Sequence, residues 1–392
     1  MANTVSAAIP KVIAAGLPAL RENAVTPRLM TNYSHMFGNG VQQGDSVTIP
    51  KGAAQAVAAV TPSNTPPSNT DHALDSVTLT VNTWRKTDFY LTDKELTQIN
   101  ADSSYVPLQM SEAFKAIGND FDGYALGLYD DIYGGAGTPG TTPFASDATA
   151  WRDARKLLNE QLAPQGGRNI VLDADAEANA MNLAQFRSAE QRGSSQTIDS
   201  GLVGSAMGAT WHMNQNVPTH SVGTLTNGTG MLAAVNDASY TVGESTVDID
   251  DSSLSGTVVV GDVFTVAGDS QQYTVTAADT ASGNALAGMA FTPTSKVAWA
   301  DNAVVTFWGG ATGGTDHVAN LAFHPQAFGY AFARPDEVQA GDGEVSMVVT
   351  DPISGIPIRV CVTREYYQWT WRLDVLFGVV TVRPEFAVRI AG

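Results

Sequence analysis

Chemistry needs titratable or nucleophilic side chains at spacings that can converge, so the histidines and the acidic clusters come first. The six histidines are His35, His72, His212, His220, His317 and His324. None stands in an H-E-x-x-H arrangement or beside a cysteine pair, the spacings that bring imidazole and thiolate onto one zinc ion. His212, His220 and His317 flank the two ends of one segment; they could form a site there or serve structural and solvated roles. "DIDDSS" (248–253) has aspartates at calcium-loop density, but Ser253 stands at the glycine position and Val259 at that of the bidentate glutamate. An acidic loop fits it better than a metal site. "GGAGTPGT" (134–141) lacks the Lys-Ser/Thr pair of a phosphate loop and follows a helix, so it reads as a helix stop. "DADAE" (173–177) reads as a first helical turn, where carboxylates complement the dipole. No G-x-S-x-G elbow occurs, and no carboxylate pair can be singled out. The expectation is a protein with no catalytic residues, no metal and no cofactor.

Composition narrows the class. A length of 392 residues suggests two or three domains, and 43% hydrophobic residues can fill ordinary cores. The net charge of −18 argues against a general nucleic-acid or membrane binder, which would show a basic face. Cys361, in the alternating run "IRVCVT", is the single cysteine and reads as a small buried hydrophobe. No apolar stretch approaches the roughly 20 residues of a membrane span. "MANTVSAAIPKVIAAGLPALRENAV" lacks a basic region before an apolar one, so no secretion signal is expected. These features point to a soluble protein of a reducing compartment.

The elements follow from periodicity. Residues 1–44 hold one helix between Thr4 and Glu22, interrupted by Pro10 and Pro18, and otherwise read as an arm. Val47 and Ile49, then Val77, Leu79 and Val81, alternate on either side of a polar Pro/Ser/Asn/Thr stretch, the pattern of a two-stranded ribbon with a long tip. An isolated ribbon is marginal in water, and the local sequence offers this one little to lie against. From Val106 to Tyr133, Phe114, Ile117, Phe121, Leu128 and Ile132 follow the spacing of one helix face. A second helix, capped by Asp147, carries Trp151, Ala154, Leu157, Leu158 and Leu162 on one face. "RNIVLD" is a buried-type strand, 187–208 reads as a mobile loop, and "TWHMNQNVPTH" returns to strand.

Residues 222–314 differ from the rest. They hold one basic residue, Lys296, against nine acidic ones, with short alternating runs between turn signals. This is the pattern of a small all-β barrel or sandwich inserted into a loop of a mixed α/β body, with Val247, Ile249, Val263, Phe264, Val275, Phe291 and Phe307 as its core. At the other extreme of regularity stands "WTWRLDVLFGVVTVRPEFAVRIAG" (369–392). Its apolar residues lie on odd numbers up to Phe377 and on even numbers after Gly378, which predicts two strands with a turn at the glycine. Arg372, Asp374, Arg383, Glu385 and Arg389 interleave both signs on the other face.

"RLDVLFGVVTVRPEFAVRI" resembles the C-terminal signature of tailed-bacteriophage major capsid proteins of the Hong Kong 97 fold, in the group whose coat protein carries an inserted β-barrel. "NLAFHPQAFGYA" (320–331), "LNEQLAPQGGRNIVLD" (158–173) and "FYLTDKELTQI" (89–99) resemble, in order, the segment after the insertion, the junction of peripheral and axial domains, and the return from the extended loop. The resemblance implies an α+β capsid fold divided as follows: an N-terminal arm (1–44), an extended loop (45–92), a peripheral domain with a spine helix (93–163), an axial domain (164–221 and 315–363) interrupted by the barrel (222–314), and C-terminal peripheral strands (364–392). It implies a shell of hexamers and pentamers enclosing double-stranded DNA without sequence-specific binding, assembled in the host bacterial cytoplasm with a scaffolding protein and a portal, and open to a decoration protein. An acidic surface suits a wall around DNA. Asp248, Asp250, Asp251, Arg372, Asp374, Arg383, Glu385 and Arg389 become candidate inter-subunit contacts, intramolecular pairing being the alternative for the C-terminal five. Some such proteins cross-link a loop lysine to an asparagine; Lys51 sits at the base of the loop rather than its tip, so that chemistry is not expected here. The rival readings are an encapsulin-type nanocompartment shell and, from another class, a carbohydrate-binding or enzymatic protein with a β module.

Overall fold

The computed structural model describes residues 16–392 except 19, 21–23, 38–41, 53–56, 58, 61, 63–73, 102–107, 189, 191–195, 227–232, 311–313 and 337–343. Most of the expected helix between Thr4 and Glu22, the ribbon tip and the expected helix start at Val106 lie outside the described residues. No helix among the described residues is long and apolar enough to cross a membrane. The chain divides into two compact units. The first is built from Thr31–Ala113 and Phe328–Arg383, the second from Pro18–Met30, Phe114–Ala327 and Pro384–Gly392.

The first unit is organised by the strand Gln368–Thr381. Along one edge it pairs antiparallel with Phe328–Ala333 and Pro357–Arg364, and along the other with Thr83–Thr92. Glu344–Thr350 pairs with Pro357–Arg364, and Thr31–Asn32 runs parallel to Phe328–Ala333. One sheet therefore joins 344–364 to 368–381, across the expected boundary between axial and peripheral parts at 363/364. The expected turn at Gly378 is also absent. The strand runs straight through it, and the break comes at the 3-10 helix Pro384–Phe386. Pro384 opens that helix rather than standing in a strand; its missing N–H would have had no partner there.

The phase flip has a different cause. Odd-numbered Trp371, Leu373, Val375 and Phe377 are buried on one face. From Leu376 onward the even face is covered as well, by the ribbon Ser46–Lys51 and Asp75–Thr80. Ile49, Leu79 and Val81 pack with Ala331, Ala333, Leu376 and Val382 in one cluster. The base of the ribbon thus has the internal support that its own neighbourhood in sequence does not provide. Gly378 permits the contact: a Cβ there would lie 2.1 Å from the Thr80 carbonyl oxygen.

In the second unit the helix Leu108–Gly127, which begins in the first, tightens into the 3-10 turn Leu128–Asp131. Phe114, Ile117, Phe121, Ala125 and Leu126 form its buried stripe. The helix Thr149–Glu160 buries Trp151, Ala154 and Leu158, and Asp147 accepts the Thr149 N–H at 2.8 Å. Leu162 does not share that face; it lies beyond the helix end at φ 59° and is exposed. A sheet runs in the order Gly135–Ala136, Ala387–Ala391, His317–Phe323, Asn169–Leu172, Ala209–Met213, Gly204–Ala206. The expected loop 187–208 holds the helix Gln196–Ser200 and the strand Gly204–Ala206.

Residues 234–307 form a second, six-stranded sheet: Ala234–Val235, Thr246–Asp250, Ala285–Thr292, Gln272–Val275, Val263–Val266, Val305–Phe307. Its first and last members are bridged: Val235 N–H donates to Ala303 O and Val305 N–H to Ala233 O, so the sheet closes on itself. Phe264, Tyr273, Phe291 and Trp299 stack inside with Val247, Ile249 and Val275. Asp248 and Asp250 belong to a strand rather than to a loop; the turn begins at Asp251.

Gly378→Ala is expected to lower unfolding free energy by about 1–3 kcal/mol, the cost of an overpacked site that must displace backbone. Gly123→Ala, on an exposed helix position with nothing within 4 Å, should raise it by about 0.5–1 kcal/mol. Urea titrations of both variants check the pair; equal effects would mean that the ribbon is not seated on the strand.

Candidate functional site

Two polar clusters stand out against these cores, one in each unit. In the second unit, Ala387–Ala391 is buried throughout, so Arg389 has no solvent face to occupy. Its guanidinium donates to Ile132 O (2.7 Å), Gly261 O (2.6 Å), Asp130 O (3.3 Å) and Thr274 Oγ1 (3.0 Å), and lies over the Tyr129 ring at 5.3 Å. Desolvation lowers its pKa to about 10, which leaves it charged at neutral pH. One side chain thus ties the end of the 128–131 turn to two strands' ends in the closed sheet.

His220 and His317 sit in the same cluster. The strand Thr219–His220 leaves for the closed sheet, and His317–Phe323 returns from it, with His317 opposite His220 in register. Asp262 accepts from His220 Nε2 at 3.0 Å, which leaves Nδ1 facing the Tyr129 hydroxyl at 3.1 Å. Asp262 also accepts the Val259 and Gly223 N–H groups. His317 donates from Nδ1 to Thr315 O at 2.9 Å and packs edge-on against Trp308. Its Nε2 and Asp130 Oδ1 are buried with no hydrogen-bond partner among the described residues. His212 lies on a different strand and is not drawn into this cluster. Nothing among the described residues groups three or more His, Cys, Asp or Glu side chains as metal ligands.

In the first unit the even-numbered face of Gln368–Thr381 is apolar only under the ribbon. Beyond it, a cavity of 480 Å³ is lined by Trp84, Arg85, Lys86, Arg359, Cys361, Arg372 and Asp374. Lys86, Asp374 and Arg359 stand in one cross-strand row, and Asp88, Arg372 and Cys361 in the next. Asp374 is buried and takes a two-point pair from Arg359 (3.0 and 2.6 Å) and the Trp84 indole N–H (2.8 Å). Arg372 donates to Thr363 Oγ1 at 3.2 Å.

The sequence-derived contacts sort accordingly. Asp374 and Arg389 are buried and bonded within the chain. Arg372, Arg383, Glu385 and Asp250 are half-buried, and Asp248 is exposed, accepting the Gly288 N–H at 2.6 Å beside a bulge. Asp251 holds the Ser252 amide. Sequence reasoning missed Asp122, buried on the helix and accepting from Val25 N, Thr26 N and Oγ1, and Asn214 Nδ2. The available signal was a carboxylate set directly beside Phe121 on an apolar stripe. It also missed Trp84 and Arg359, which nothing in their local pattern marks.

No family model and no curated protein matches the chain. Solved structures similar to it include the capsid of the cyanophage P-SCSP1u, at 12% identity and TM-score 0.49, covering 94% of this chain and 88% of that one. The mature capsid of bacteriophage PhiM1 is similar at 10% identity and TM-score 0.45, covering 94% and 87%. A virus-like particle from Pyrococcus furiosus is similar at 10% identity and TM-score 0.43, covering 97% and 98%.

Arg389→Met removes four donated hydrogen bonds from buried acceptors and should cost about 3–5 kcal/mol in chemical denaturation; a loss below about 1 kcal/mol would show that the cluster is dispensable. His317 gives a pH signature. Burial holds its imidazole down at about 4, reinforced by His220 and Arg389 and opposed by Thr315 O and Asp262. An unfolded imidazole titrates near about 6.5. Between those values the unfolded chain binds a proton that the folded chain excludes, so stability falls with falling pH by up to about 1.4 kcal/mol per unit. His317→Phe should flatten the profile across that window relative to wild type; parallel profiles would remove His317 from the acid response.

Proposed function

We propose that this chain is the major capsid protein of a tailed bacteriophage, the repeated subunit of an icosahedral shell around double-stranded DNA. The observation that carries the reading is the attachment of the closed sheet. Its leaving and returning strands are paired with each other, which supports reading 222–314 as an insertion into a mixed α/β body. The coat proteins that the sequence resembles carry an inserted barrel in this stretch. The ribbon supports the same reading. Its base is seated internally, while Val57, Val60 and Leu74 beyond the base are 99%, 92% and 73% exposed. Exposed apolar side chains in this stretch suit contact with an adjacent subunit. Shell formation uses many weak, repeated, self-complementary contacts that close under symmetry.

Under this reading the partners are further copies of the chain, as hexamers and pentamers, with a scaffolding protein, a portal and a decoration protein. Assembly takes place in the host bacterial cytoplasm and the product is the virion. Asp248, Asp250, Asp251, Arg372, Arg383 and Glu385 remain proposed contacts between subunits.

Electron microscopy of the purified protein, alone and with a co-expressed scaffolding protein, should show closed shells, and particles from an infection should hold DNA behind a portal. Shells filled with an enzyme would point to a nanocompartment, and a monodisperse monomer under all conditions would remove the proposal. Deleting 57–72 should leave thermal melting unchanged and reduce shell yield about tenfold or more, as expected when one of several coupled contacts is lost.

A further inference from the structure

We infer that the seam between the closed sheet and the rest of the second unit is an acid-operated latch: protonation of His317 frees the closed sheet from the turn Leu128–Asp131 and from Gly135 while both sides stay folded. The inference rests on the second unit alone and does not depend on the assembly reading.

The seam is polar. Gln272 brackets the backbone of Gly135, accepting its N–H at 2.6 Å and donating to its carbonyl at 3.1 Å. Thr274 Oγ1 donates to Asp130 O at 3.2 Å, Arg389 donates to Gly261 O, and His220 donates to Asp262. Trp308 adds an apolar contact: its ring lies so close over Gly135 that a Cβ there would stand 2.9 Å away. Water replaces most of such bonds when a seam opens, so each holds it weakly and the set holds only while every member is satisfied.

The two imidazoles on the paired strands differ in what a proton would meet. His220 accommodates one: Asp262 takes Nε2–H, and Nδ1 faces the Tyr129 hydroxyl at 3.1 Å and Asp130 Oδ1 at 4.0 Å. His317 does not. Its Nδ1 donates to Thr315 O, so an added proton must go to Nε2, which is buried with no partner among the described residues. The ring lies 5.3 Å from His220 and 4.9 Å, edge-on, from Trp308. Burial, His220 and Arg389 all oppose charge there, and Asp262 only partly offsets them. An imidazolium at 317 is therefore expelled, and Trp308 loses the ring that backs it against Gly135.

The direction with pH follows. Closed, His317 stays neutral down to about 4; opened to water, it titrates near about 6.5. Between those values the open form binds a proton that the closed form excludes, so opening grows as pH falls, by up to about tenfold per unit. Asp130 works the other way. Burial raises its carboxyl, so the closed form takes up that proton more readily and the net response is shallower. Arg389, at about 10, stays charged throughout, helped by Asp131 beside it, and burial raises the Tyr129 hydroxyl away from this range.

Residue-resolved hydrogen exchange on the full-length protein between pH 7 and 4 tests the latch. Gly135 and Gly223 donate their N–H groups across the seam, to Gln272 and Asp262. Their protection factors should fall about tenfold or more over the window, while those of Phe264 in the closed sheet and Leu373 in the first unit hold. NMR of ¹³Cε1-labelled histidine should show His317 titrating with the midpoint of that loss. His317→Asn keeps an N–H for Thr315 O but cannot take the proton, so it should hold Gly135 and Gly223 at their neutral-pH protection. Seam and core amides losing protection together would make the event global unfolding and overturn the inference. So would a seam that stays protected while His317 titrates, or an Asn variant that opens at the wild-type pH. If the Asn variant is already open at pH 7, the two wild-type midpoints decide, and their separation by more than about one unit overturns the inference.

Discussion

A strand buried on both faces must pair its backbone along both edges, because no water reaches an orphaned N–H or C=O there. That constraint organises the first unit. Over its central residues Gln368–Thr381 is enclosed above and below, and it is hydrogen-bonded on one side to residues 83–92 and on the other to two strands from 328–364. The ribbon packs on Leu376 and Val382, and its backbone can approach the strand at Gly378 because no side chain stands there. Removing the strand would take a ladder from three others, so the seat of the ribbon and the wall of the polar cavity share one support.

The second unit meets the same constraint with a charge. Ala387–Ala391 is also enclosed, but one inward position is Arg389, and its guanidinium donates to four acceptors at the ends of a turn and of the closed sheet. The buried charge is tolerable because four neutral acceptors and an aromatic face receive the guanidinium and the carboxylates of Asp130, Asp262 and Asp131 favour its charged form. Both strands close contacts of very long sequence separation: Trp369 with Leu91, and Ile390 with Ala136. Such topology makes folding slow and leaves incomplete sheets with open edges until the last strands dock. For a chain read as a shell subunit, those open edges are the species that a scaffold or chaperone would have to keep apart.

Local pattern was a good guide wherever one face of an element meets a core and the other meets water. The ribbon, the helix stripe from Phe114 to Ala125 and the strands of 234–307 were legible for that reason, down to Val247, Ile249, Phe264 and Phe307 as core. It failed where both faces are covered. Alternation places Asp374 and Arg389 outward by parity, and parity has no meaning for a doubly covered strand. The glycine at 378 was read as a turn since a phase flip and a glycine coincide there. The true cause is a second layer supplied by residues over 290 positions earlier, which no window of local sequence contains. The polar cavity was illegible for a related reason: Trp84, Arg359 and Arg372 come from three strands brought side by side only by the ladder.

The acidity of the chain turns from a composition statistic into a constraint on association. Copies carrying −18 each repel at long range, and that repulsion is screened over about 10 Å at ordinary ionic strength. Apolar contacts from an exposed ribbon act only at touching distance and cannot choose a register by themselves. On the proposed shell reading, complementary surface charges could, since every misaligned approach would set carboxylate against carboxylate. Each correct pair adds little, about 0–1 kcal/mol when exposed, so an isolated encounter dissociates and errors can be corrected. In the proposed shell, repetition around a closed symmetric assembly would make the sum large without making any single step irreversible. Apolar burial and doubly paired strands hold each unit rigid, and the weaker, salt-sensitive charges remain at the surface, where adjusting them does not endanger the core.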